Sequence, residues 1–337
     1  MIVQARKLRA PFPWFGGKSQ VAHIVWERFG NVPNYVEPFF GSGAVLLNRP
    51  HEPGCETIND ADGFVANFWR AVQADPEQVA RYADWPVNEN DLHARHAWLV
   101  QRRDTLTRKL EGDPDFYDAK IAGWWCWGLC CWIGGGWCSG KGAWRVVDGE
   151  LVKIDGKGPG VDRKRVHLSD TGQGVTRQLV HLGNKGRGVN RKREPLYEWM
   201  IALADRLRFV RVCCGDWSRV CGESPTVHNG LTGVFLDPPY ADTADRSEVY
   251  SVDDMQVAHA VREWAIERGD DPRMRIALCG YEGEHVMPDS WECVAWKARG
   301  GYGLQGNNRG RVNAGRERIW FSPHCLKPGR EALLWTL

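Results

Sequence analysis

The sequence lacks the patterns of a membrane or secreted protein. No apolar run approaches the ~18–20 residues of a membrane-spanning helix, and no secretory leader opens the chain. The 11 cysteines are an odd number without paired C-x-x-C spacing, which argues against a disulfide framework and against a zinc site. We therefore expect a cytoplasmic protein with free, mostly buried thiols and no bound metal.

An excess of charge of either sign is also missing. The formal net charge is only +2 in 337 residues, so no global basic field indicates a nucleic-acid partner, and any such surface must be local. A chain of this length suffices for one or two domains with a large core. The unusual excess is tryptophan, with 18 residues, many of them in the segment 121–144.

Short apolar runs and amphipathic stretches alternate along most of the chain, which is typical of a parallel sheet with crossover helices. We predict strands at 35–37, 57–58, 209–214, 232–236, 274–279, 291–296 and 317–321, and helices at 18–29, from 44 onward, and at 64–72, 196–207 and 253–267. Residues 116–194 interrupt this alternation. We therefore predict one α/β domain formed by residues 1–115 and 195–337, with residues 116–194 inserted into it.

The segment Leu236–Tyr240 follows an apolar run and carries an acid, two prolines and an aromatic ring. Pro238 and Pro239 lack backbone donors and fix φ, so the strand must end there. Ligands of open α/β sheets bind at the carboxyl ends of strands. Asp237 as a hydrogen-bond acceptor and Tyr240 as a stacking surface suit a planar substrate with an amino group, such as a nucleobase.

A second turn, Glu37–Gly43, joins the first predicted strand to a helix. Its glycines permit close backbone approach, but position 46 is Leu, so the G-x-G-x-x-G pattern of a phosphate site is incomplete. An acid before the turn repels phosphate and attracts an ammonium or sulfonium group. Asp60 ends the next strand, where a carboxylate accepts hydrogen bonds from ribose hydroxyls. Together the two acids predict a nucleoside-type cofactor.

Five segments, in this order, resemble the D12 class (Dam-like, α-group) of N6-adenine DNA methyltransferases. They are Pro13–Lys18, Glu37–Gly43, Asn59–Asp60, Gly215–Trp217 and Asp237–Tyr240. The resemblance implies a Rossmann-like class I methyltransferase sheet with an inserted target-recognition region. It also implies site-specific methylation of adenine N6 in double-stranded DNA, as in restriction–modification, with S-adenosyl-L-methionine as methyl donor.

The resemblance also assigns roles to residues. Those implied to bind the cofactor are Trp14, Gly16, Gly17, Lys18, Glu37, Pro38, Phe39, Gly41, Gly43, Asp60, Asp216 and Trp217. Asp60 would hold the ribose, and Asp216 with Trp217 the adenine. The catalytic residues implied are Asp237, Pro238, Pro239 and Tyr240: Asp237 and the Pro238 carbonyl accept hydrogen bonds from the amine of a flipped-out base, on which Tyr240 stacks.

The inserted region carries two candidate DNA-binding features. Basic residues separated by glycines suit phosphate contacts, and we predict DNA binding by Arg163, Lys164, Arg165, Lys185, Arg187, Arg191, Lys192 and Arg193. The second feature is a tryptophan cluster, comprising Trp124, Trp125, Trp127, Trp132, Trp137 and Trp144. It is either a stacking surface for distorted DNA or, as we favour for most of its members, a local core.

Three alternatives remain at this point. The same pair of acceptors suits the N4 amine of cytosine, so an N4-cytosine DNA methyltransferase is the nearest one. A non-catalytic DNA-binding protein that retains the methyltransferase fold is the second. A nucleotide-hydrolysing enzyme is disfavoured because the Gly16–Ser19 segment lacks the upstream glycine of a Walker A loop, where Phe12 stands instead.

Overall fold

The computed structural model describes residues 8–14, 16–132, 137–138, 144–147, 150–153, 196–239, 255–297 and 315–328. Their helices are α1 (Ala22–Phe29), α2 (Gly63–Ala74), α3 (Pro76–Ala83), α4 (Glu89–Val100), α5 (Arg103–Gly112), α6 (Ala119–Cys131), α7 (Leu196–Leu207) and α8 (Met255–Arg268). Their strands are β1 (Asn34–Glu37), β2 (Cys55–Asp60), β3 (Trp144–Val147), β4 (Glu150–Lys153), β5 (Val210–Cys214), β6 (Thr232–Leu236), β7 (Met274–Tyr281), β8 (Glu292–Ala295) and β9 (Glu317–Phe321).

Seven of these strands form one sheet in the order β5-β2-β1-β6-β7-β9-β8. β1 pairs in parallel with β2 and β6, β2 with β5, and β6 with β7. Only β9 runs against its neighbours, β7 and β8. Together with the helices this sheet confirms the predicted Rossmann-like fold class.

The order of the strands reverses beside β1. The chain passes outward from β1 to β2 and β5, returns to the other side of β1 as β6, and then continues to β7. Every residue of β1 and β6 is buried, which explains their continuous apolar character. At such a reversal the strand ends leave a crevice, so the carboxyl ends of β1 and β6 are where a ligand is expected.

Three of the six clustered tryptophans, Trp125, Trp127 and Trp137, are buried in a core beside helix α6. Trp125 and Trp127 are at most 2% exposed and pack in the same cluster as α2 and α3. The helix lies very close to its neighbours because two positions lack a side chain. A Cβ on Gly123 would lie 2.4 Å from the Cβ of Tyr82, and one on Gly128 would overlap the Trp137 ring. The proposed domain boundary at residue 116 lies just before this helix and stays a prediction.

Two elements differ from the sequence prediction. The helix predicted from residue 44 is wrong: a single 3-10 turn, Leu46–Asn48, follows the Gly41–Gly43 turn, and its end at Arg49 precedes Pro50. The helix predicted over 18–29 is divided into a 3-10 turn, Lys18–Gln20, and α1.

No element was assigned from sequence to residues 76–112, where α3, α4 and α5 lie. Their starts carry local signals, since Asp75 and Asn88 cap α3 and α4 with their side chains. In the parts of the chain that the structure describes, none of the helices has both the length and the apolar character that spanning a membrane requires.

Candidate active site

Three acids lie at neighbouring carboxyl ends of the sheet. Glu37 and Asp60 are the last residues of β1 and β2, and Asp237 directly follows β6. The parallel register pairs Glu37 with Ile58 and Val36 with Val234, so the three strands end at the same edge. The sheet therefore gathers residues that are up to 200 positions apart in the sequence.

Lys18 neutralises the acid that follows β6. Its Nζ lies 2.8 Å from Oδ2 of Asp237 and also donates a hydrogen bond of 3.1 Å to the carbonyl of Gly16. The Lys18 side chain is 4% exposed and that of Asp237 21%. Burial disfavours the ammonium, but the charges of Asp237 and Glu317 more than compensate and raise the pKa of Lys18 above its usual value.

The ring of Trp296 also lies beside Lys18. The centroid of its ring lies 5.8 Å from Nζ of Lys18, close enough for a cation–π contact. Its indole N–H is buried and has no hydrogen-bond partner among the described residues. Sequence reasoning did not select Trp296, because its only signal was an aromatic residue at the end of a predicted strand.

Glu37 is a buried acid without a cationic partner among the described residues. It is 2% exposed, and the hydroxyl of Tyr35 donates a hydrogen bond of 2.7 Å to its Oε2. Burial raises the pKa of Glu37 to about 8, and the nearby charge of Asp237 adds to this rise, whereas the hydrogen bond from Tyr35 opposes it. A cation beside this carboxyl group would therefore favour its charged form.

The adjacent buried acid, Glu56, is in contrast fully paired. Arg206 approaches it with two nitrogens at 2.7 and 2.9 Å, and Arg49 with one at 3.1 Å. Arg206 also donates to the carbonyl of Leu46, and Arg49 to that of Val32. These bonds tie α7 and the loop after β1 to β2, and they engage Arg49 and Arg206 with Glu56 and not with Glu37.

Asp60 holds the glycine turn after β1 in shape. Its Oδ2 accepts the N–H of Gly41 at 2.9 Å and its Oδ1 the N–H of Asp62 at 2.9 Å. Burial and the neighbouring Asp62 raise the pKa of Asp60 to about 7, although both N–H groups favour the carboxylate. Gly41 has a φ of +48°, and a Cβ there would lie 2.3 Å from Nε1 of Trp14. The turn thus requires glycine for two reasons.

Asn59 connects the two loops that flank Asp60. Its side-chain N–H groups donate to the carbonyls of Pro38, at 3.1 Å, and Gly215, at 2.9 Å. The residue is 1% exposed. Since one loop follows β1 and the other follows β5, Asn59 fixes their spacing from the strand between them. Sequence reasoning noted Asn59 only as part of a strand end.

Two aromatic rings form a flat wall beyond these loops. Phe39 and Trp217 stack with centroids 6.3 Å apart and an interplanar angle of 28°. Both rings are partly exposed. Asp216, which is exposed, caps the 3-10 turn Trp217–Val220 by accepting the N–H of Ser218 at 2.9 Å.

Most of the residues expected at the site lie along this edge, including Pro238, which is buried, and Pro239, which is partly exposed. Gly17 precedes the turn that carries Lys18, and Gly43 has a φ of +62°. Tyr240 and all eight basic residues predicted to bind DNA lie outside the described residues. Within the described ranges, no group of three or more His, Cys, Asp or Glu side chains is arranged to hold a metal ion.

The strand order and the parallel register of β1, β2 and β6 define a Rossmann-like fold with three acids at one edge. Residues 14–112 match the family model of the D12 class N6 adenine-specific DNA methyltransferases. The resemblance predicted from the sequence is thereby confirmed over this segment, which contains Lys18, Glu37, Gly41 and Asp60. The match ends well before Asp237, and the roles of the site residues, inside and outside the matched segment, stay predictions.

Two groups of relatives bear names of the same activity. The DNA N-6-adenine-methyltransferase of Escherichia phage P1 is 29% identical over 105 residues, which are 30% of this chain and 14% of that protein. The DNA adenine methylases of two strains of Vibrio cholerae serotype O1 are each 30% identical over 87 residues, 26% of this chain and 31% of theirs. The matched stretch thus spans less than a third of each relative's length.

Proposed function

We propose that this protein is an S-adenosyl-L-methionine-dependent DNA methyltransferase that modifies N6 of adenine in double-stranded DNA. The observation that carries the proposal is the Asp237 carboxylate, held by Lys18 at the strand-order reversal, opposite a turn that matches the D12 class family. The names of the relatives support adenine as the target base.

The residues along the edge fit a cofactor with a positive charge, a ribose and an adenine ring. Glu37 is a buried acid that lacks a cation among the described residues, so an ammonium or sulfonium group would satisfy it. Asp60 is partly exposed, and each of its carboxylate oxygens, which accepts one backbone N–H, can accept a further hydrogen bond from a ribose hydroxyl. Phe39 and Trp217 offer flat rings for the adenine. When bound, S-adenosyl-L-methionine supplies an electrophilic methyl group.

The chemistry left to the protein is the orientation of an amine. The lone pair of an exocyclic amine is delocalised into its ring, which makes the amine a weak nucleophile. Lys18 holds Oδ2 of Asp237, and a carboxylate can accept several hydrogen bonds, so Asp237 can also accept one from the N–H of the amine. A second acceptor, the carbonyl of Pro238, favours a tetrahedral nitrogen whose lone pair points at the methyl group. Orientation and electrostatics thus supply most of the rate, without a strong base.

The test compares Asp237→Ala with Asp289→Ala, an exposed aspartate outside the candidate site. We expect Asp237→Ala to lower methyl transfer to duplex DNA about 100-fold or more, because the amine loses its main acceptor. Asp289→Ala should match the wild type. Transfer is measured as labelled methyl in DNA, and calorimetric titration of the cofactor reports whether its site is intact.

Mass spectrometry of the nucleosides identifies the product. N6-methyladenine supports the proposal, whereas N4-methylcytosine would show that the target is the N4 amine of cytosine. A wild-type protein that binds duplex DNA but neither binds the cofactor nor transfers methyl groups would be a DNA-binding protein that retains the fold, and the proposal would fail. If Asp237→Ala transferred methyl groups at the wild-type rate, only the role assigned to Asp237 would be refuted, and the proposed activity would stand.

A further inference from the structure

Tryptophans of α4 and α6 alternate with cations at the surface of the helical layer. The rings of Trp98 and Trp124 meet edge to face with centroids 5.1 Å apart. Nζ of Lys120 lies 4.8 Å from the first centroid and 4.5 Å from the second. The guanidinium of Arg102 covers the Trp98 ring at 3.7 Å. We call Trp98, Arg102, Lys120 and Trp124 the cation–indole patch.

The stack continues inward to a buried arginine. The guanidinium of Arg95 lies 4.8 Å from the ring centroid of Trp124, 4.3 Å from that of Trp127 and 5.0 Å from that of Trp85. Arg95 is only 6% exposed, so it joins α4 to α6 as part of the core. All four residues of the cation–indole patch are in contrast partly exposed. Packing in the core therefore explains the position of Arg95, but it does not explain why Lys120 and Arg102 lie over indole rings at the surface.

The two cations of the patch are not neutralised. Among the described residues, no carboxylate lies within ion-pair distance of Lys120 or Arg102. One N–H of Arg102 donates to the carbonyl of Trp98 at 3.0 Å, which fixes the guanidinium over its ring. An aromatic face orients a cation without removing its charge, and both side chains keep donors for another acceptor. Anions with several oxygens complement such a surface.

The patch lies between the candidate active site and the rest of the predicted inserted region, to which its own Lys120 and Trp124 belong. Asp118 caps α6, and its backbone exchanges hydrogen bonds of 2.8 and 2.9 Å with the side chain of Asn67. Asn67 lies about one turn from Gly63, the first residue of α2, which follows the Asp60 strand. On the other side, the hairpin of β3 and β4, within the predicted target-recognition region, contacts α4.

We propose that Lys120 and Arg102, oriented by Trp98 and Trp124, contact backbone phosphates of the duplex DNA that enters the candidate active site. The proposal rests on the proposed function, because it takes DNA as the substrate. Two phosphate contacts release counterions and contribute affinity without sequence preference. The patch thus positions the duplex, and the base itself is selected elsewhere.

The experiment removes both charges in the variant Lys120→Met/Arg102→Gln and keeps both indoles. The affinity for duplex DNA is measured by fluorescence anisotropy at several salt concentrations. Each phosphate contact contributes about 0.9 to the slope of log K against log salt, so we expect the slope to fall by about 1.8. Cofactor binding and the thermal midpoint should stay at the wild-type values.

Two further variants make the result specific. Arg208→Gln removes a similar cation, 5.3 Å from the ring of the exposed Phe209, at the amino end of β5 and therefore at the opposite edge of the sheet. We expect it to leave the slope unchanged. Lys120→Arg keeps a positive charge over the rings, so it should leave the slope of log K against log salt at the wild-type value.

The outcomes separate the patch from the enzyme's activity. An unchanged slope in the double variant, with or without a lower thermal midpoint, would mean that the cations only pack α4 against α6, and it would overturn the proposal. An equal loss of slope in Arg208→Gln would also overturn it, because the effect would then reflect net charge. A wild-type protein that binds the cofactor but no duplex would overturn both the proposed function and the role of the patch.

Discussion

The ion pair between Lys18 and Asp237 predicts a stability coupling that can be measured without any knowledge of the substrate. The perturbations are Lys18→Met, Asp237→Asn and the two together. Each single change leaves one charge without its partner, whereas the double change leaves neither. If the pair is formed as the structure shows, the double variant loses less stability than the sum of the single variants.

The magnitudes follow from distance and burial. Two unit charges 2.8 Å apart attract by about 6 kcal/mol at an effective dielectric constant of about 20, before desolvation is counted. Breaking a buried pair costs about 3–5 kcal/mol, because the remaining charge stays buried. Lys18 is 4% exposed and Asp237 21%, so the stranded ammonium is the more costly of the two. We expect a loss of about 3 kcal/mol for Asp237→Asn, about 2 kcal/mol for Lys18→Met, and a coupling of about 2 kcal/mol.

The assay is urea unfolding at pH 7, followed by far-UV circular dichroism. A control is Arg273→Gln, which breaks an ion pair of similar length, 2.7 Å, but in which Arg273 is exposed; we expect no measurable change there. Losses that add within about 0.5 kcal/mol would refute the coupling. A larger loss for Lys18→Met than for Asp237→Asn would refute the argument from burial.

Two further predictions concern Glu37 and Gly41. Since the folded state keeps a proton on Glu37 up to about pH 8, against 4.5 for a free side chain, it binds more protons than the unfolded state, and stability falls as the pH rises between these values. Glu37→Gln should flatten this fall, as measured by thermal midpoints at pH 5.5 and 8.5; an undiminished fall would contradict the assignment. Gly41→Ala should destabilise the protein more than Gly283→Ala, because both glycines have positive φ but only a Cβ at position 41 would contact Trp14. In urea unfolding we expect losses of about 2 kcal/mol and about 1 kcal/mol, respectively. Equal losses would show that the Trp14 ring can move aside without a cost in stability.

The strands were the most predictable part of this fold. Strands β6 and β9 lie at 232–236 and 317–321, as predicted, and β6 is buried over its whole length, which explains its mostly apolar sequence. The acids at the carboxyl ends of β1, β2 and β6 were identified from the places where these predicted strands end. Glu37 and Asp237 are each followed by a proline, which ends the strand because it cannot donate a backbone hydrogen bond. Ligands of open α/β sheets bind at such carboxyl ends.

The helical layer was predicted less well. Helix α4 has weak apolar periodicity, and α3 and α5 have only 8 and 10 residues, so their patterns are brief; local signals mark the starts of α3, at Asp75 followed by Pro76, and of α4, at Asn88. The helix expected after Gly43 does not form, because positive φ at Gly41 and Gly43 shapes the turn and Pro50 follows soon after. The apolar residues after Gly43 favour a helix, but the close packing of Trp14 against Gly41 stabilises the turn instead.

The sequence by itself determined the α/β class, the places where the main strands end, and which acids and glycines stand at those ends, because these depend on local patterns of apolar residues, glycine and proline. Only the tertiary structure decided which charges meet. Lys18 pairs with Asp237, 219 positions away, Tyr35 donates a hydrogen bond to Glu37, and Lys120 contacts two indoles from different helices. These contacts depend on strand order and helix packing, which bring distant residues together, and no pattern within a short window records that order.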